Sequence, residues 1–326
     1  MRRREVIGFA GTALFAWPLT ARAQQKAKIA RVGVLGFGAP LAATRIEALR
    51  AGLRDLGYVE GKNLVLEFRW SGTAEQMQEA ATELVRMKVD IIFATSSAEV
   101  EAARRATSTI PIVFATHADP VGLGHVSSLA RPGGNMTGLA AMDPEITPKR
   151  MEILKATVPR AIRYGVLWAT TSPSYRPFLD AAEAAKGKLG VQLVTVSVSS
   201  VADYEGAFAR MAQGRVDAVL VHSSALTVRD NPQRLAELAL KHRLPTIFLF
   251  RENVMAGGLM SYGPDLIDLW RRGAVYIDKI LKGAKPAELP VEQASKFQLV
   301  INLKTARLLG LTIPPSIVAR ADEIIE

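Results

Sequence analysis

Short apolar runs alternate with amphipathic stretches along most of this chain, and this alternation limits the possible folds more than any other feature. The run at residues 29–35 is typical of a buried strand, and residues 44–56 follow it with apolar side chains at helical spacing. Strands that alternate with helices of about 10 to 15 residues predict parallel sheets, because each parallel strand pair needs a long crossover connection.

The alternation continues on both sides of a breaker cluster at residues 131–135, which contains Pro132, Gly133 and Gly134. Further strands are predicted at residues 64–70, 90–95, 111–115, 163–169, 191–198, 217–222, 245–250 and 297–302. Helices are predicted at residues 74–87, 98–106, 175–189, 203–213, 232–242 and 264–281, with a loop and a short helix leading to Ala130. The predicted fold class is α/β, with two Rossmann-like lobes whose parallel sheets carry helices on both faces.

The two predicted lobes are joined by a hinge that the chain crosses several times, near residues 135–139, 260–262 and 289–292. The N-terminal lobe is expected to comprise residues 24–138 and 262–290. The C-terminal lobe is expected to comprise residues 139–261 and 291–326. Ligands of open parallel sheets bind beyond the carboxyl ends of the strands, so a binding cleft is expected between the lobes.

The first 23 residues have the three-part layout of an export signal. Arg2, Arg3 and Arg4 precede a short apolar run, and Ala21 and Ala23 supply small residues before a cleavage site at Ala23–Gln24. The paired arginines resemble a twin-arginine signal, although the Sec route uses a similar layout. The apolar run is too short to span a membrane, so a periplasmic protein is expected.

Composition restricts the chemistry further. The chain has no cysteine, which excludes disulfides, thiolate metal sites and lipid attachment through cysteine. The formal net charge is +10, but lysine and arginine are spread singly along helical stretches. Dispersed positive charge is typical of solvated helix faces, and nucleic acid is not an expected partner.

The strongest candidate for ligand contact in the N-terminal lobe is the pair Ser96 and Ser97, which follows a predicted strand and precedes a helix. Hydroxyl groups and free backbone N–H groups at such a position can hold a carboxylate, but simple helix capping explains the serines equally well. His117 and Asp119 follow the next strand, and Asp119 could accept an ammonium group or cap a helix.

Further candidate site residues flank the predicted crossings and the strands of the C-terminal lobe. Asn135 and Thr137 border the first crossing, where they could donate to a ligand or take part in turn structure. The remaining candidates are Thr171, Ser172, Tyr175, Ser223, Ser224, Arg251 and Tyr262. Tyr262 could enclose an aromatic or apolar ligand, or it could pack in the hinge.

An enzyme is not indicated. The chain lacks a phosphate-binding loop, a nucleophile elbow and a zinc-protease motif. Its four histidines, His117, His125, His222 and His242, show no metal-binding pattern, so neither a metal nor a cofactor is expected. An exported α/β hydrolase remains an alternative that ligand turnover would reveal.

Five ordered blocks identify a family resemblance over essentially the whole chain after the signal: GLRDLGYVEGKNL at residues 52–64, DPVGLG at 119–124, ARPGGNMTG at 130–138, MSYGPDL at 260–266 and INLKTA at 301–306. They resemble the substrate-binding proteins of ABC transporters with the type I periplasmic-binding-protein fold, related to lipoproteins that bind tryptophan and other aromatic amino acids. This chain lacks the lipid-attachment cysteine of those lipoproteins.

The resemblance implies a monomeric, periplasmic solute-binding component of an ABC importer. Such a protein captures a small organic solute, such as an amino acid or an aromatic compound, between its lobes and delivers it to a permease in the inner membrane. A ligand sensor that signals to a receptor is the alternative within the same fold. A repressor is not expected, because an export signal occupies the place of a DNA-binding headpiece.

Overall fold

A computed structural model describes residues 29–37, 39–228 and 231–326. The predicted export signal and its cleavage site lie outside the described residues. Within those ranges, no helix combines the length and the apolar character needed to cross a membrane.

The described strands form two sheets. The first contains β1 (Ala30–Phe37), β2 (Leu64–Ser71), β3 (Ile91–Ala94), β4 (Ile112–His117), β5 (Met136–Ala140) and β11 (Glu292–Gln293). The second contains β6 (Arg163–Ala169), β7 (Gln192–Val198), β8 (Ala218–Val221), β9 (Thr246–Phe248), β10 (Met260–Pro264), β12 (Phe297–Asn302) and β13 (Glu323–Ile325).

The helices of the first half of the chain are α1 (Ala39–Asp55), α2 (Ala74–Arg86), α3 (Ser97–Ala106), α4 (Asp143–Thr157) and α5 (Tyr175–Leu189). They are followed by α6 (Asp203–Gln213), α7 (Ala225–Val228), α8 (Pro232–Lys241), α9 (Arg251–Met255), α10 (Leu266–Leu281), α11 (Leu303–Leu308) and α12 (Pro315–Val318). A short 3₁₀ turn spans Pro286–Glu288.

Strand order confirms the predicted α/β class. The first sheet has the order β11-β5-β4-β3-β1-β2, and all of its strand pairs are parallel. The second has the order β13-β12-β10-β9-β8-β6-β7, and only β10 and β12 pair antiparallel among the described strands. In both sheets the chain winds outward in two directions, which places helices on both faces.

Each sheet is buried between two layers of helices. On one face of the first sheet, Leu49 and Leu53 of α1 pack with Trp270 and Ile277 of α10. The other face carries α2 and α3, and the second sheet has its own pair of hydrophobic clusters. We call the elements packed on the first sheet the first lobe and those packed on the second sheet the second lobe.

Two glycines in the family blocks are required by close backbone contact. A side chain at Gly52 would bring its Cβ within 2.6 Å of the Arg271 carbonyl oxygen, where α1 and α10 pack together. Gly138 has a φ of 146°, and a Cβ there would lie 2.2 Å from the Phe114 carbonyl oxygen. Both positions therefore need glycine for the first lobe to close its core.

The passages between the sheets lie a few residues later in the chain than predicted. Residues 139–140 belong to β5 of the first sheet, residues 262–264 to β10 of the second, and residues 292–293 to β11 of the first. The chain leaves a sheet only where its strand ends, so we propose lobe boundaries after Ala140, after Pro264 and after Gln293 in place of the predicted ones. The predicted short helix before Ala130 is a series of turns.

Candidate functional site

A cleft of about 910 Å³ lies between the two lobes, at the carboxyl ends of β3 and β4 on one side and of β6, β7 and β8 on the other. This is the edge at which parallel sheets bind ligands. Seven of the predicted site residues line it: Ser96, Ser97, Thr171, Ser172, Tyr175, Ser223 and Ser224.

The start of α3 forms part of the first-lobe wall of the cleft. Ser96 occupies the N-cap position, but its side chain makes no capping hydrogen bond to the helix backbone. The Ser96 hydroxyl donates instead to the carboxylate of Glu99, and the Thr95 hydroxyl donates to the other oxygen of that carboxylate at 3.1 Å. Helix capping, the alternative reading of this serine, is therefore not its role in the structure.

Ser97 begins a series of hydrogen bonds that passes through two buried histidines and ends at Glu101, another residue of the cleft lining. Its Oγ lies 3.3 Å from Nδ1 of His117, and Nε2 of His117 lies 2.6 Å from Nδ1 of His125. Nε2 of His125 lies 2.9 Å from a carboxylate oxygen of Glu101. The sequence prediction placed His117 at the cleft, but the side chain is completely buried behind Ser97.

Burial keeps the imidazole rings of His117 and His125 neutral. It lowers the pKa of His117 well below the ordinary value, and the neighbouring His125 adds to the effect. Burial also lowers the pKa of His125, although the Glu101 carboxylate opposes the shift. Hydrogen bonding, first from Arg104, lowers the pKa of Glu101 to about 2. The hydrogen-bond series from Ser97 therefore contains two neutral imidazole rings and ends at the ionised carboxylate of Glu101.

A buried ion pair lies at the first passage between the lobes. Arg150 of α4 donates to Oδ1 of Asp143, and these two side chains are 0% and 1% exposed. Burial raises the pKa of Asp143, while the adjacent guanidinium opposes that shift. Oδ2 of Asp143 has no hydrogen-bond partner, and the residue lines the cleft. An unpartnered buried acceptor beside a cleft can accept from a bound ligand.

The second-lobe wall carries hydroxyl groups and an aromatic ring. The Tyr175 ring stacks on Trp168 at 4.6 Å between centroids, which holds it in place at the cleft. Ser172 is hydrogen-bonded to Ser174, and Ser174 is hydrogen-bonded to Nε2 of His222 at 3.2 Å. Burial lowers the pKa of His222 to about 3, with Arg150 as the second cause.

Besides His117, three further predicted first-lobe candidates lie outside the cleft lining, and the structure gives their side chains other partners. Oδ1 of Asp119 accepts from the backbone N–H of Gly122 at 2.8 Å and so caps a turn. Asn135 precedes β5 and donates to the Ile110 carbonyl at 2.8 Å, while Thr137 is buried and donates to the Leu289 carbonyl at 2.7 Å. Asn135 and Thr137 lie near the start of β5, whereas the cleft lies beyond the opposite ends of the strands.

Two further predicted site residues, which the structure places in the second lobe, make their contacts outside this cleft. Arg251 pairs with Glu323 through two guanidinium nitrogens and lines a smaller cavity of about 320 Å³. Tyr262 stacks on Phe297 at 5.9 Å and packs against the core of the second lobe. Hinge packing, the alternative reading of Tyr262, agrees with this position.

Sequence reasoning missed the buried charges at the cleft. Glu99, Asp143 and Arg150 are buried, and Glu99 and Asp143 line the cleft. For Glu99 and Asp143, the only available sequence signal was a carboxylate shortly after a predicted strand or crossing. His125 was also missed as a partner of His117, although the two residues are eight positions apart. Their nitrogens lie too close together for a metal ion between them, because each metal–nitrogen bond needs about 2 Å.

Comparison with known proteins identifies a family for this chain. Residues 39–325 match the family described as ABC transporter substrate binding protein. A tyrosine-binding protein of Clostridioides difficile is 27% identical over 260 residues, which are 79% of this chain and 74% of that protein.

Two solved structures are similar over 91% of this chain, each with a TM-score of 0.85. One is a conserved domain protein from Vibrio cholerae, 29% identical and covered over its full length. The other is a domain from Streptococcus pneumoniae in complex with L-Trp, 28% identical and covered over 99% of its length. With two α/β lobes around a cleft and a family match over almost the whole described chain, this protein has the type I periplasmic-binding-protein fold and belongs to the ABC transporter substrate-binding protein family.

Proposed function

We propose that this protein is the periplasmic solute-binding component of an ABC importer. It captures an amino acid with an aromatic side chain in the cleft and delivers it to a permease in the inner membrane. The family match supports the transport role, and the tyrosine-binding relative and the L-Trp complex support the ligand class. The predicted export signal supports the periplasmic location.

The observation that carries the ligand class is the unpartnered Oδ2 of Asp143 beside the start of α3. The backbone N–H of Asp143 donates to the Ala118 carbonyl at 3.1 Å, and the backbone N–H of Ala118 donates to Ser97 Oγ at 2.9 Å. An acceptor for an ammonium group therefore adjoins a helix N-terminus, whose free N–H groups attract a carboxylate. An α-amino acid carries both groups on one carbon atom and needs such adjacent sites.

The apolar part of the cleft provides space for the ligand side chain. Tyr175, Leu226 and Leu249 line it, together with Phe250 and Leu266 near the passages between the lobes. Apolar surface contributes about 25 cal/mol per Å² buried, so a large aromatic side chain gains more here than a small polar one. Because the two walls belong to different lobes, a ligand that touches both stabilises the closed arrangement.

Thermal unfolding with L-tryptophan, L-tyrosine, L-phenylalanine, L-leucine and L-glutamate tests the proposal. The protein is first unfolded, dialysed and refolded to remove any bound solute. Specific binding to the native state raises the melting temperature with ligand concentration, and we expect the largest rise with an aromatic amino acid.

A matched pair of variants locates the binding. Ser223→Trp blocks the cleft and is expected to abolish the shift, whereas Ser108→Trp adds the same side chain at an exposed position outside it. A refolded protein that responds to none of the amino acids would overturn the proposed ligand class. An equal response of both variants would overturn the cleft as the site.

A further inference from the structure

The hydroxyl groups at the first-lobe wall of the cleft share an orientation. Thr95 and Ser96 donate to Glu99, and Thr116 donates to the Thr95 carbonyl. A hydroxyl group has one proton and two acceptor lone pairs. Each of these side chains gives its hydroxyl proton to another group of the protein, so its oxygen can offer a ligand only a hydrogen-bond acceptor.

The direction of the Ser97 hydroxyl follows from a backbone N–H group. The N–H of Asp119 points to Nδ1 of His117 at 3.2 Å, and an amide N–H can only donate. Nδ1 of His117 is therefore an acceptor, and the proton of this neutral ring is on Nε2. Ser97 can then bond to Nδ1 only by donating its hydroxyl proton.

The directions of the remaining hydrogen bonds, as far as the Glu101 carboxylate, follow in the same way. Nε2–H of His117 donates to Nδ1 of His125, which leaves the His125 proton on Nε2, where it donates to Glu101. All donors in this series point in one direction, from Ser97 to Glu101. Glu101 also accepts from Arg104 and Arg105, and these hydrogen bonds keep it an ionised acceptor.

One lone pair of the Ser97 hydroxyl oxygen remains available to a ligand in the cleft. Its Oγ accepts the backbone N–H of Ala118 with one lone pair, and its proton is given to His117. The remaining lone pair belongs to a residue that lines the cleft, and Asp143, which carries an unpartnered oxygen, lines the same cleft. The cleft lining therefore contains both acceptors.

We propose that Glu101, His125 and His117 form a positioning relay that holds Ser97 as a hydrogen-bond acceptor, so that the Ser97 hydroxyl, unlike the backbone N–H groups of the same helix end, selects a ligand ammonium group over a carboxylate. His117 and His125 are buried and act through Ser97, and Glu101, which lines the cleft, fixes the far end of the relay. The proposal deepens the proposed function and rests on it for the position of the ligand. It also revises the sequence expectation that the Ser97 hydroxyl holds a carboxylate.

Nitrogen NMR of the imidazole rings tests the relay without any ligand. Long-range proton–nitrogen spectra of the ¹⁵N-labelled protein distinguish the two neutral tautomers of each histidine. We expect both His117 and His125 to carry their proton on Nε2 at neutral pH. A His117 ring protonated on Nδ1 would overturn the proposal, because Ser97 would then accept from it and turn its own proton to the cleft.

Variants of His125 test the link between the relay and selectivity. His125→Gln can still accept from His117 and donate to Glu101, whereas His125→Leu can do neither. His242→Leu, a histidine on the far side of the second lobe, stacked on Phe208, is the control for loss of a ring. All variants are first shown by thermal unfolding to be folded, and their His117 tautomers are recorded.

The ligand probes are L-tryptophan, tryptamine, which lacks the carboxylate, and indole-3-propionate, which lacks the ammonium group. We expect the wild-type protein to bind tryptamine at least tenfold more tightly than indole-3-propionate. His125→Leu should reduce this ratio several-fold, and His125→Gln should restore it. An unchanged ratio in a folded His125→Leu protein would overturn the positioning role.

The outcomes separate this inference from the proposed function. If the wild-type protein binds none of the indole probes and neither L-tyrosine nor L-phenylalanine, the aromatic ligand class and the ammonium selectivity both fail, whatever the tautomers show. If L-tryptophan binds while indole-3-propionate binds as well as tryptamine, the importer proposal stands and this inference is overturned.

Discussion

Nη2 of Arg45 lies 2.5 Å from Oε1 of Glu252, and this ion pair joins α1 of the first lobe to α9 of the second. Each side chain is 17% exposed. Among the described residues, Arg45 lines the cleft, while Glu252 lines the smaller cavity beside it. The pair is therefore a direct charge contact between lobes in the arrangement that encloses the cleft.

Loss of this pair should weaken ligand binding by making the closed arrangement less stable. We expect Arg45→Met and Glu252→Gln each to raise the dissociation constant several-fold, because a partly exposed ion pair contributes about 1 kcal/mol. A double-mutant cycle of titration calorimetry measures the coupling. Additive effects of the two changes would show that the pair does not contribute to closure.

The buried pair Asp143–Arg150 should matter for stability as well as for binding. Arg150→Met leaves a buried carboxylate without its counter-ion, and we expect a loss of about 3 to 5 kcal/mol in the free energy of unfolding. Asp143→Asn combined with Arg150→Met should be less destabilising than Arg150→Met alone. Urea unfolding of both proteins checks this order, and the reverse order would contradict the assignment of a charged pair.

We expect Asp119 to contribute to the stability of the fold and not to ligand binding. We expect Asp119→Ala to lower the free energy of unfolding by about 1 kcal/mol, because the turn at Gly122 loses its capping acceptor. The ligand dissociation constant should stay unchanged in calorimetry, in contrast to that of Ser97→Trp, which places a large ring at the cleft wall. A clear loss of ligand affinity in Asp119→Ala would instead indicate that Asp119 belongs to the binding site.

Stability should fall when the solution is acidified from pH 7 to pH 5. His222 has its pKa lowered from 6.5 to about 3 in the folded protein, so the unfolded chain binds a proton that the native protein does not. The stability that the neutral ring provides is complete above pH 6.5 and is lost progressively between pH 6.5 and about pH 3. Each such histidine contributes a slope of about 1.4 kcal/mol per pH unit in that interval.

Urea unfolding at pH 7.5, 6 and 5 measures this slope. His117 has its pKa lowered by burial and should add to it in the same direction. His222→Gln keeps a neutral polar side chain and is expected to show a shallower slope than the wild type. A stability that does not change over this range would mean that neither ring is held neutral.

The export prediction can be tested separately from the structure. Arg3→Lys together with Arg4→Lys removes the paired arginines and keeps the positive charge. Cell fractionation should then find the protein in the cytoplasm if the twin-arginine route carries it. Continued export of the double variant would indicate the Sec route, which needs only a positive charge before the apolar run.

Much of the fold was predictable because burial and periodicity are local signals. The predicted strands at residues 163–169 and 297–302 and the helices at 175–189 and 203–213 agree with the structure residue for residue. Helix α4 was not predicted. It follows Met142, whose φ is 55°, and carries Pro144 and Pro148, so its sequence has breaker signals and little helical periodicity.

The candidate site was predicted only in part for a related reason. Serines and threonines after strands reach the cleft because the carboxyl ends of parallel strands share one edge, which strand positions already indicate. Asn135, Thr137 and Tyr262 were placed at passages between lobes, but they lie in or beside strands β5 and β10. A strand that precedes a passage between the lobes has the same short apolar pattern as a strand inside a lobe. The pattern therefore does not show where the chain leaves a sheet.

The α/β class, the two-lobe architecture and the family can be read from the sequence, because they depend on periodicity and on ordered blocks along the chain. The polar groups that meet in the folded protein cannot be read in this way. The contacts of Ser97 with His117, of His117 with His125, and of Arg45 with Glu252 join different elements of the fold. Hydrogen-bond direction and the burial of charge depend on distances of a few ångströms between these elements, and no local pattern encodes such distances.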